Sequence, residues 1–484
     1  MRTSLLNMMG RLTAGCIVSI MLLHGCSINP VSGERQLMLV SEEQEVAMGA
    51  AGAKDVANTI GLVDNLELQN YVQRLGLQLA ADSERPNLPW SFRVIDDPTP
   101  NAFAFPGGYI FITRGLMGLM GNEAELVTVL GHEIGHVTAR HSASMMSRAQ
   151  VAQIGLGVGS ILSPQLAQFS NLASGGLSLL FLSYGRDAER QADDLGFRYA
   201  LNHGYDVREM VNVFASLQHA GELAGASSLP HWLSSHPNPE QRIKRINDQL
   251  ADLDQPLKDS RIGLDDYMNQ IDGMDYGVNP RQGYFEDNRF LHPDMAFQIT
   301  FPKGWQTQNL ASIVQAGSPQ QDAVIQMTVA AGSPTEAANQ FFAQQGLSAG
   351  RVAEHSINGL RAVVGHFAAD TQNGRVGGLA AFILYNNMTF QVLAFTPEEK
   401  LGSYNNTFLA AINSFARLTD RTALEKQADR ISIVQTTQPM TLSAFNQRYP
   451  SVVDIKILAL INQISAPAAI IPARTRMKRI MSGK

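Results

Sequence analysis

The stretch Gly131-His132-Glu133-Ile134-Gly135-His136 lies in a segment that the sequence predicts to be one continuous helix. Asn122 is expected to cap the N-terminus of this helix. Side chains four positions apart are neighbours on one helix face, so His132 and His136 can converge on a single ion. Glu133 projects beside them, where its carboxylate can act as a general base. The pattern predicts a metal site with His132 and His136 as ligands.

Two glycines support this interpretation. Gly131 and Gly135 each precede a histidine and lie one helical turn apart. Glycine in a helix interior is unfavourable by about 1 kcal/mol relative to alanine. Bare backbone at these positions would let another segment approach closely beside the metal. The glycines therefore argue against the simplest alternative, two surface histidines on an ordinary amphipathic helix.

The third ligand must come from elsewhere in the chain. A catalytic zinc ion takes three protein ligands and leaves one position open. The metzincin pattern would require glycine at position 139 and histidine at position 142, but this chain has Ala139 and Ser142. His141 follows His136 by five positions, roughly 140° around a continuous helix, so it cannot easily join the pair.

A downstream segment, Arg186-Asp-Ala-Glu189-Arg-Gln-Ala-Asp193, supplies better candidates on a second predicted helix. A carboxylate can ligate zinc, and ligand histidines usually donate their other nitrogen to a carboxylate. Helical spacing places Glu189 and Asp193 on one face, but it does not decide which of them meets the ion. From the residues alone, Glu189 ranks only slightly above Asp187.

The combination of HExxH with Glu-x-x-Ala-Asp on a later helix resembles a known family. It is similar to the HtpX/CAAX-prenyl-protease-type zinc peptidases, and within them to the periplasmic BepA/LoiP-like lipoproteins. The resemblance covers about residues 28–250. Its further motifs are Asn29-Pro-Val-Ser-Gly33, Asn101-Ala-Phe-Ala104, Pro106-Gly-Gly-Tyr-Ile-Phe-Ile112 and Ser235-His-Pro237.

The resemblance implies one zinc ion per chain, with Glu189 as the third ligand and Asp193 orienting a ligand histidine. It also implies an activity: hydrolysis of peptide bonds in unfolded or misassembled envelope proteins, as proteolytic quality control. Polypeptides are then the expected substrates. Outer-membrane assembly proteins are the expected partners.

Two further features bear on the resting state of the site. His236 and Arg242 either belong to an ordinary capped helix start, or they stabilise the oxyanion of the reaction. A further alternative makes His236 a fourth ligand that blocks the site.

Residues 149–185 contain no charged residue and no histidine, and glycine, Pro164 and scattered polar residues interrupt every apolar run. This stretch is expected to form buried or membrane-adjacent helices that close over the site.

The substrate is expected to add as an extended strand beside Tyr109–Thr113. This segment alternates like a strand, comes shortly before the metal-binding helix, and is predicted to be an edge strand. The residues predicted to bind substrate are Tyr109, Ile110, Phe111 and Ile112.

The N-terminus predicts the destination of the protein. Residues 1–25 are typical of a signal peptide. They have a basic flank, the short apolar stretch Leu12–Leu23 and a small residue before the predicted cleavage site. Leu23-His-Gly-Cys26 resembles a bacterial lipobox, which implies lipid modification of Cys26. A serine at position 27, directly after the lipobox cysteine, resembles the sequence of lipoproteins that are transported to the outer membrane. We therefore expect a periplasmic protein with a lipid anchor in the outer membrane.

The predicted fold class is α+β and multidomain. Residues 26–272 are expected to form a mainly helical, zincin-like metallopeptidase domain. Residues 286–418 are strand-rich and predict an α+β domain with an antiparallel sheet, whose Phe-Pro-x-Gly-Trp opening resembles PsbP-like domains. Residues 428–480 resemble a degenerate LysM-type module. Peptidoglycan binding and a purely structural role are equally compatible with this tail.

Composition limits the function classes. A net charge of −6 gives no electrostatic reason to expect nucleic acid as a partner. Two rivals to a peptidase stay open: a non-enzymatic envelope scaffold that binds outer-membrane assembly partners, and a metal-dependent hydrolase acting on a non-peptide bond. The scaffold predicts decay of the metal-binding residues, whereas His132, Glu133 and His136 are all present.

Overall fold

The computed structural model describes residues 26–155, 184–224, 232, 235–236, 239–253, 257–310, 312–371 and 374–483. These residues form two compact units. The first contains Gly61–Met274, Ile431–Met481 and the residues up to Ala57, and the second contains Asp275–Arg430, Asn58–Ile60 and Ser482–Lys484. The multidomain α+β class is confirmed. The predicted signal peptide and most of the uncharged stretch 149–185 lie outside the described residues.

The first unit is mainly helical. Its helices are Glu42–Thr59, Leu66–Ala81, Arg114–Leu119, Glu123–Thr138, His141–Gly155, Arg186–Asn202, Glu209–Ala224, Pro239–Ala251, Leu264–Ile271, Leu442–Arg448 and Ile455–Ile461. Its strands are Cys26–Ile28, Arg35–Leu37, Ser91–Ile95, Ala102–Phe105, Tyr109–Thr113, Met440–Thr441, Ile470–Ile471 and Arg476–Met481, and Asp429–Gln435 begins the C-terminal segment. We call Glu123–Thr138 the His132 helix and Arg186–Asn202 the Glu189 helix. Among the described residues, no helix is both long and apolar enough to cross a membrane.

A three-stranded sheet precedes the His132 helix, and its strand order corrects the prediction about substrate binding. Tyr109–Thr113 is the central strand, parallel to Ser91–Ile95 and antiparallel to Ala102–Phe105. Both of its edges are paired along its whole length, so Tyr109, Ile110, Phe111 and Ile112 cannot hydrogen-bond an added substrate strand. The prediction that this segment is an edge strand is wrong. It fails because Ala102–Phe105 folds back through the turn at Pro106-Gly-Gly108 and covers the edge.

The C-terminal segment Ile431–Met481 packs within the first unit. It has the predicted order of strand, helix, helix and strand. Residues 428–480 are predicted to form a separate module. In the structure, this segment instead contacts the start of the His132 helix. Gln463 donates to both carboxylate oxygens of Glu125, at 2.9 and 2.8 Å. The segment is therefore part of the frame that holds this helix.

Lys478, in the same segment, makes buried contacts just before the His132 helix. Its side chain is fully buried, and Nζ donates to the carbonyl oxygens of Gly118 at 3.0 Å and Met120 at 2.6 Å. Burial lowers the pKa of Lys478 to about 7, and it raises the pKa of Glu125 to about 7. Each group is the opposite charge that partly offsets the desolvation of the other.

The second unit is built around a seven-stranded antiparallel sheet. Its strand order is Gln306–Asn309, Val314–Gly317, Val324–Ala330, Met388–Pro397, Gly374–Tyr385, Leu360–Thr371 and Leu347–Ile357. A four-stranded sheet holds Ala416–Arg417, Phe297–Thr300, Arg289–His292 and Tyr284–Glu286. The short strand Asp275–Tyr276 and the start of Tyr284–Glu286 therefore lie in the stretch 273–285, which the predicted domain bounds leave unassigned.

Each face of the long sheet is covered by one helix of the second unit. Along Gly374–Tyr385, Ala380 and Phe382 face the helix Pro334–Phe342. Leu379, Ala381 and Ile383 belong instead to the core that contains the helix Leu401–Asn413. This two-residue alternation is the pattern expected of a sheet buried on both sides.

We predict that Lys478→Ala lowers the free energy of unfolding by about 1–3 kcal/mol, because the carbonyl oxygens of Gly118 and Met120 would stay buried without their donor. Glu125 would also lose the nearby cation that partly offsets its burial. Lys456 is exposed in the same segment, so Lys456→Ala should stay within about 0.5 kcal/mol of the parent protein. Urea unfolding followed by circular dichroism measures both. Equal midpoints for the two variants would contradict the role of Lys478.

Candidate metal centre

The His132 helix carries both predicted histidines on one face. Asn122 caps it as predicted, because its side-chain oxygen accepts from the backbone N–H of Glu125 at 3.0 Å. Every residue of the helix is buried, so the alternative of two surface histidines is wrong. The Nε2 atoms of His132 and His136 lie 3.0 Å apart.

The Glu189 helix packs against the His132 helix at very short range. A Cβ atom added at Gly131 would lie 3.0 Å from Cα of Gly196, and one added at Gly135 would lie 3.1 Å from Cα of Ala192. A Cβ atom at Gly196 would lie 2.8 Å from the backbone nitrogen of His132. The glycines thus allow the close approach that their positions predict, and the approaching segment is the Glu189 helix.

Four side chains gather at this contact. His132, His136, Glu189 and His236 each offer a ligand atom, and these atoms all lie within 4.8 Å of one another. The Glu189 carboxylate is 3.5 Å from Nε2 of His136 and 3.8 Å from Nε2 of His132. Asp187, the near-equal candidate from the residues alone, has a side chain that is 91% exposed. The structure therefore brings Glu189 to the histidine pair and leaves Asp187 in solvent.

Asp193 fixes the orientation of His132. Nδ1 of His132 donates to its carboxylate at 2.9 Å, and Arg242 donates to the same carboxylate from Nη2 at 2.6 Å and from Nε at 2.8 Å. Burial opposes the charge on Asp193, but Arg242 and the hydrogen bond from His132 outweigh it and hold the pKa of Asp193 well below its usual range. Because Asp193 is ionised, the proton of His132 stays on Nδ1 and the Nε2 lone pair faces the other ligand atoms.

His136 is held by residues that sequence analysis did not assign to the site. The ring of Tyr184 stacks on it with a centroid distance of 4.0 Å, and Nδ1 of His141 lies 3.0 Å from its Nδ1. Burial lowers the pKa of His136 well below its usual range, and the neighbouring His132 and His141 lower it further. A neutral imidazole is the form that ligates a metal.

Glu133 lies beside this group, and its carboxylate is buried. The residue is 1% exposed, and neither carboxylate oxygen has a hydrogen-bond partner among the described residues. The nearest charged contact is Nε2 of His236, at 3.8 Å. Buried carboxylates normally have partners. Among the described residues both oxygens of Glu133 are thus free to accept a proton, as a general base for water requires.

His236 and Arg242 take different positions. Nδ1 of His236 lies 2.9 Å from the Glu189 carboxylate and 3.3 Å from Nε2 of His132, so it belongs to the ligand group. Burial would lower the pKa of His236, but the charge of Glu189 outweighs burial and raises it. Arg242 lies behind the group, with Nη1 3.3 Å from Glu189 and its guanidinium 4.8 Å from the ring of Trp232. Trp232, another residue missed from the sequence, also packs 4.9 Å from the ring of His236.

The residues present fit a divalent metal ion. Asp193 directs the Nε2 lone pair of His132 inward, and His136 faces it with Nε2 at 3.0 Å. Two unprotonated nitrogens at this distance repel each other unless a cation lies between them. Two imidazoles and a carboxylate are the ligand types of a catalytic zinc or a related transition metal. The ligand set thus matches a metal centre.

A helix carrying two histidines four residues apart, with a carboxylate from a second helix, defines a zincin-like metal-binding domain. Comparison with protein families agrees with this class: residues 67–250 match peptidase family M48. The match spans both site helices and His236. It does not extend to the second unit or to the C-terminal segment.

Individual relatives agree with this placement. A putative beta-barrel assembly-enhancing protease of Vibrio cholerae serotype O1 is 34% identical over 209 residues, which cover 42% of this chain and 43% of that protein. The mitochondrial metalloendopeptidase OMA1 of Schizosaccharomyces pombe is 32% identical over 230 residues, covering 46% of this chain and 66% of that protein. The chain thus spans less than half the length of the beta-barrel assembly-enhancing protease.

Solved structures with similarity to part of the chain include a cyanobacterial protein. Cyanobacterial PsbP from Synechocystis sp. PCC 6803 is 13% identical, with a TM-score of 0.24, and covers 27% of this chain and 91% of its own. This TM-score does not establish a shared fold. The PsbP-like resemblance of residues 286–418 therefore stays a prediction.

We predict that Gly196→Ala separates the two site helices, because its methyl group would lie 2.8 Å from the backbone of His132. Overpacking of this kind lowers stability by about 1–3 kcal/mol, and the metal affinity should fall with it. Gly185, just before the same helix, faces open space, so Gly185→Ala is the matched control. Thermal unfolding with and without zinc measures both effects. A Gly196→Ala protein with the stability and metal affinity of the control would contradict the close contact.

Proposed function

We propose that this chain is a zinc-dependent endopeptidase of the cell envelope that cleaves unfolded or misassembled polypeptides. The observation that carries the proposal is the buried group of His132, His136 and Glu189 beside the carboxylate of Glu133, which has no hydrogen-bond partner in the described part of the chain. The match to peptidase family M48 and relatives named as proteases and metalloendopeptidases support it.

In this proposal His132, His136 and Glu189 hold one zinc ion per chain. The metal, when bound, supplies Lewis-acid polarisation of the scissile carbonyl group. Glu133 accepts a proton from the attacking water, whose oxygen bonds to the carbonyl carbon. Glu133 then delivers this proton to the amide nitrogen as the C–N bond breaks. Asp193 keeps His132 in the tautomer that ligates.

The position of His236 favours a resting state that is closed. A catalytic zinc site needs one position free for water and substrate, and Nδ1 of His236 lies within the ligand group. We infer that His236 is a fourth ligand in the resting protein and withdraws when substrate binds. Arg242 orients Asp193 and Glu189 in this scheme. Its role at the oxyanion stays a prediction, because both terminal nitrogens already contact buried carboxylates.

The substrate strand is reassigned to a neighbouring edge. In the described part of the chain Ala102–Phe105 pairs on one side only, and it packs against the His132 helix. Phe103 and Ala104 on this strand are half-buried. We propose that an extended polypeptide adds to this edge. Recognition through main-chain hydrogen bonds suits unfolded segments of varied sequence.

The location of the protein is part of the same proposal. The lipobox-like sequence supports lipid attachment at Cys26 and a periplasmic protein anchored in the outer membrane. The relative named a beta-barrel assembly-enhancing protease supports outer-membrane assembly proteins as partners. The strand and helix order of residues 428–480 supports the LysM-like resemblance, and peptidoglycan is the ligand that this resemblance implies.

The position of His236 also supports the rival scaffold function. A protein whose site is closed by a fourth side chain can bind assembly partners without cleaving them. The two functions share the metal and differ in the use of Glu133. A variant at this residue therefore separates them.

We predict that the mature protein binds one zinc ion and cleaves casein, and that Glu133→Gln binds zinc equally but cleaves about 10²- to 10⁴-fold more slowly. Gel-based casein digestion and zinc analysis of the purified proteins measure both quantities. Glu399 is exposed, so Glu399→Gln serves as a control that should cleave like the parent. Zinc binding without cleavage by any of the three would support the scaffold and contradict the peptidase.

We predict that His236→Ala weakens zinc binding yet increases casein cleavage several-fold, because the fourth position becomes free. If His236 stabilises the oxyanion instead, the same variant loses cleavage by about 10²-fold or more. His203, a partly exposed histidine paired with Asp82 outside the ligand group, provides the control His203→Ala. Initial rates at saturating zinc distinguish the two results, and a loss of activity would overturn the closed resting state.

A further inference from the structure

The ligand His136 is connected to the Glu189 helix through a second histidine. Nδ1 of His136 lies 3.0 Å from Nδ1 of His141, and Nε2 of His141 lies 3.0 Å from the side-chain oxygen of Gln191. His141 is not in the ligand group. It lies behind His136, on the Nδ1 side of its ring, and among the described residues His136 is the ligand that it hydrogen-bonds.

A break in the helix makes this contact. The His132 helix ends at Thr138, and Arg140 adopts a left-handed conformation with φ of 58° before a new helix begins at His141. Such a conformation is uncommon for a residue with a side chain. It is held in place because Arg140 donates to the carbonyl oxygen of Val40 at 2.8 Å and pairs with Glu45. A continuous helix would have carried His141 away from His136.

The donor and acceptor roles in this row of hydrogen bonds follow from Gln191, at the end away from the ligand group. An amide oxygen can only accept, so Nε2 of His141 donates to Gln191. A neutral imidazole has one donor and one acceptor nitrogen, so Nδ1 of His141 accepts. Nδ1 of His136 must then donate, which leaves its Nε2 without a proton and facing His132. If the donor and acceptor roles were reversed, Nε2 of His136 would carry a proton and could not bind a metal.

We propose that His141 is a positioning residue that sets the tautomer of His136, with Gln191 as the acceptor that orients His141. The inference rests on the proposed metal-binding function. The two ligand histidines are then supported differently: His132 donates to the ionised carboxylate of Asp193, and His136 donates to a neutral imidazole. Tyr184 stacks on the same ring but its hydroxyl contacts Ser142 at 2.7 Å, so it fixes the ring plane and not the proton.

The test measures metal binding directly, by competition of the full-length mature protein with a chromophoric zinc chelator. Removing a group that supports a ligand histidine typically weakens metal affinity by about 10- to 100-fold, so His141→Ala should show a loss of this size. His141→Asn should restore most of the affinity, because its side-chain oxygen can accept at the place of Nδ1. Gln191→Met should weaken binding, whereas Gln191→Glu, which can only accept, should keep it.

A spectroscopic readout separates positioning from general stability. The visible absorption of the cobalt-substituted protein should change in His141→Ala and return toward the parent spectrum in His141→Asn. His203→Ala lies outside the hydrogen bonds that link His136, His141 and Gln191, so it should leave the zinc affinity and the cobalt spectrum unchanged. Thermal unfolding of all metal-free variants checks that they fold.

The result that overturns the inference is distinct from failure of the proposed function. If the parent protein and His136→Ala bind zinc equally poorly, the metal centre itself is wrong. If the parent binds zinc, His136→Ala does not, and His141→Ala retains parental affinity and cobalt spectrum, the metal centre stands and the role of His141 is refuted.

Discussion

The metal centre depends on the contact between two helices that glycine allows to approach closely. With Gly131, Gly135 and Gly196 at the crossing, backbone meets backbone and the Glu189 carboxylate reaches the histidine pair. Side chains at these positions would hold the axes farther apart, at the 8–10 Å typical of helix packing. The loss of helix propensity at three glycines is therefore the local cost of bringing ligands from distant parts of the chain together.

Each ligand histidine then needs a defined proton position, and the protein achieves this in two ways. Asp193 stays ionised because Arg242 donates to both of its oxygens, so the proton of His132 is held by a charge. His136 depends on the neutral imidazole of His141. A charged acceptor makes a ligand imidazole more basic than a neutral one does. The two histidines should therefore differ in how strongly they bind the metal, and His136 should be the weaker.

What the sequence predicts well is local, and what it misses depends on distant contacts. The spacing of His132 and His136 is a property of one helix, so it can be read directly. The choice of Glu189 over Asp187 depends on which face of another helix meets the first. The residues alone favour Glu189 only slightly, and the family resemblance makes the choice. The helix break at Arg140 depends on contacts to Val40 and Glu45, so His141 received no role.

Sheet order shows the same limit. Tyr109–Thr113 alternates as a strand should, but alternation does not say what pairs with either edge. Ala102–Phe105, with two alanines in four residues, has weak strand propensity and was not predicted as a strand. The burial of Lys478 was equally hidden, because lysine is rarely buried unless its partner is known. In both cases the deciding contact comes from a segment whose neighbours the sequence does not reveal.

Both ends of the His132 helix are fixed by segments from far along the chain. Gln463 holds its first turn through Glu125, and Lys478 holds the segment just before it through the carbonyl oxygens of Gly118 and Met120. At its last turn, Asn29 donates to the carbonyl oxygen of Ala139 at 3.3 Å, and Arg85 donates to that of Val137 at 2.9 Å. A helix anchored in this way cannot shift much without breaking buried hydrogen bonds. His236 is the one member of the ligand group that lies on neither site helix. Opening of the site is therefore least costly through movement of His236, with the helices left in place.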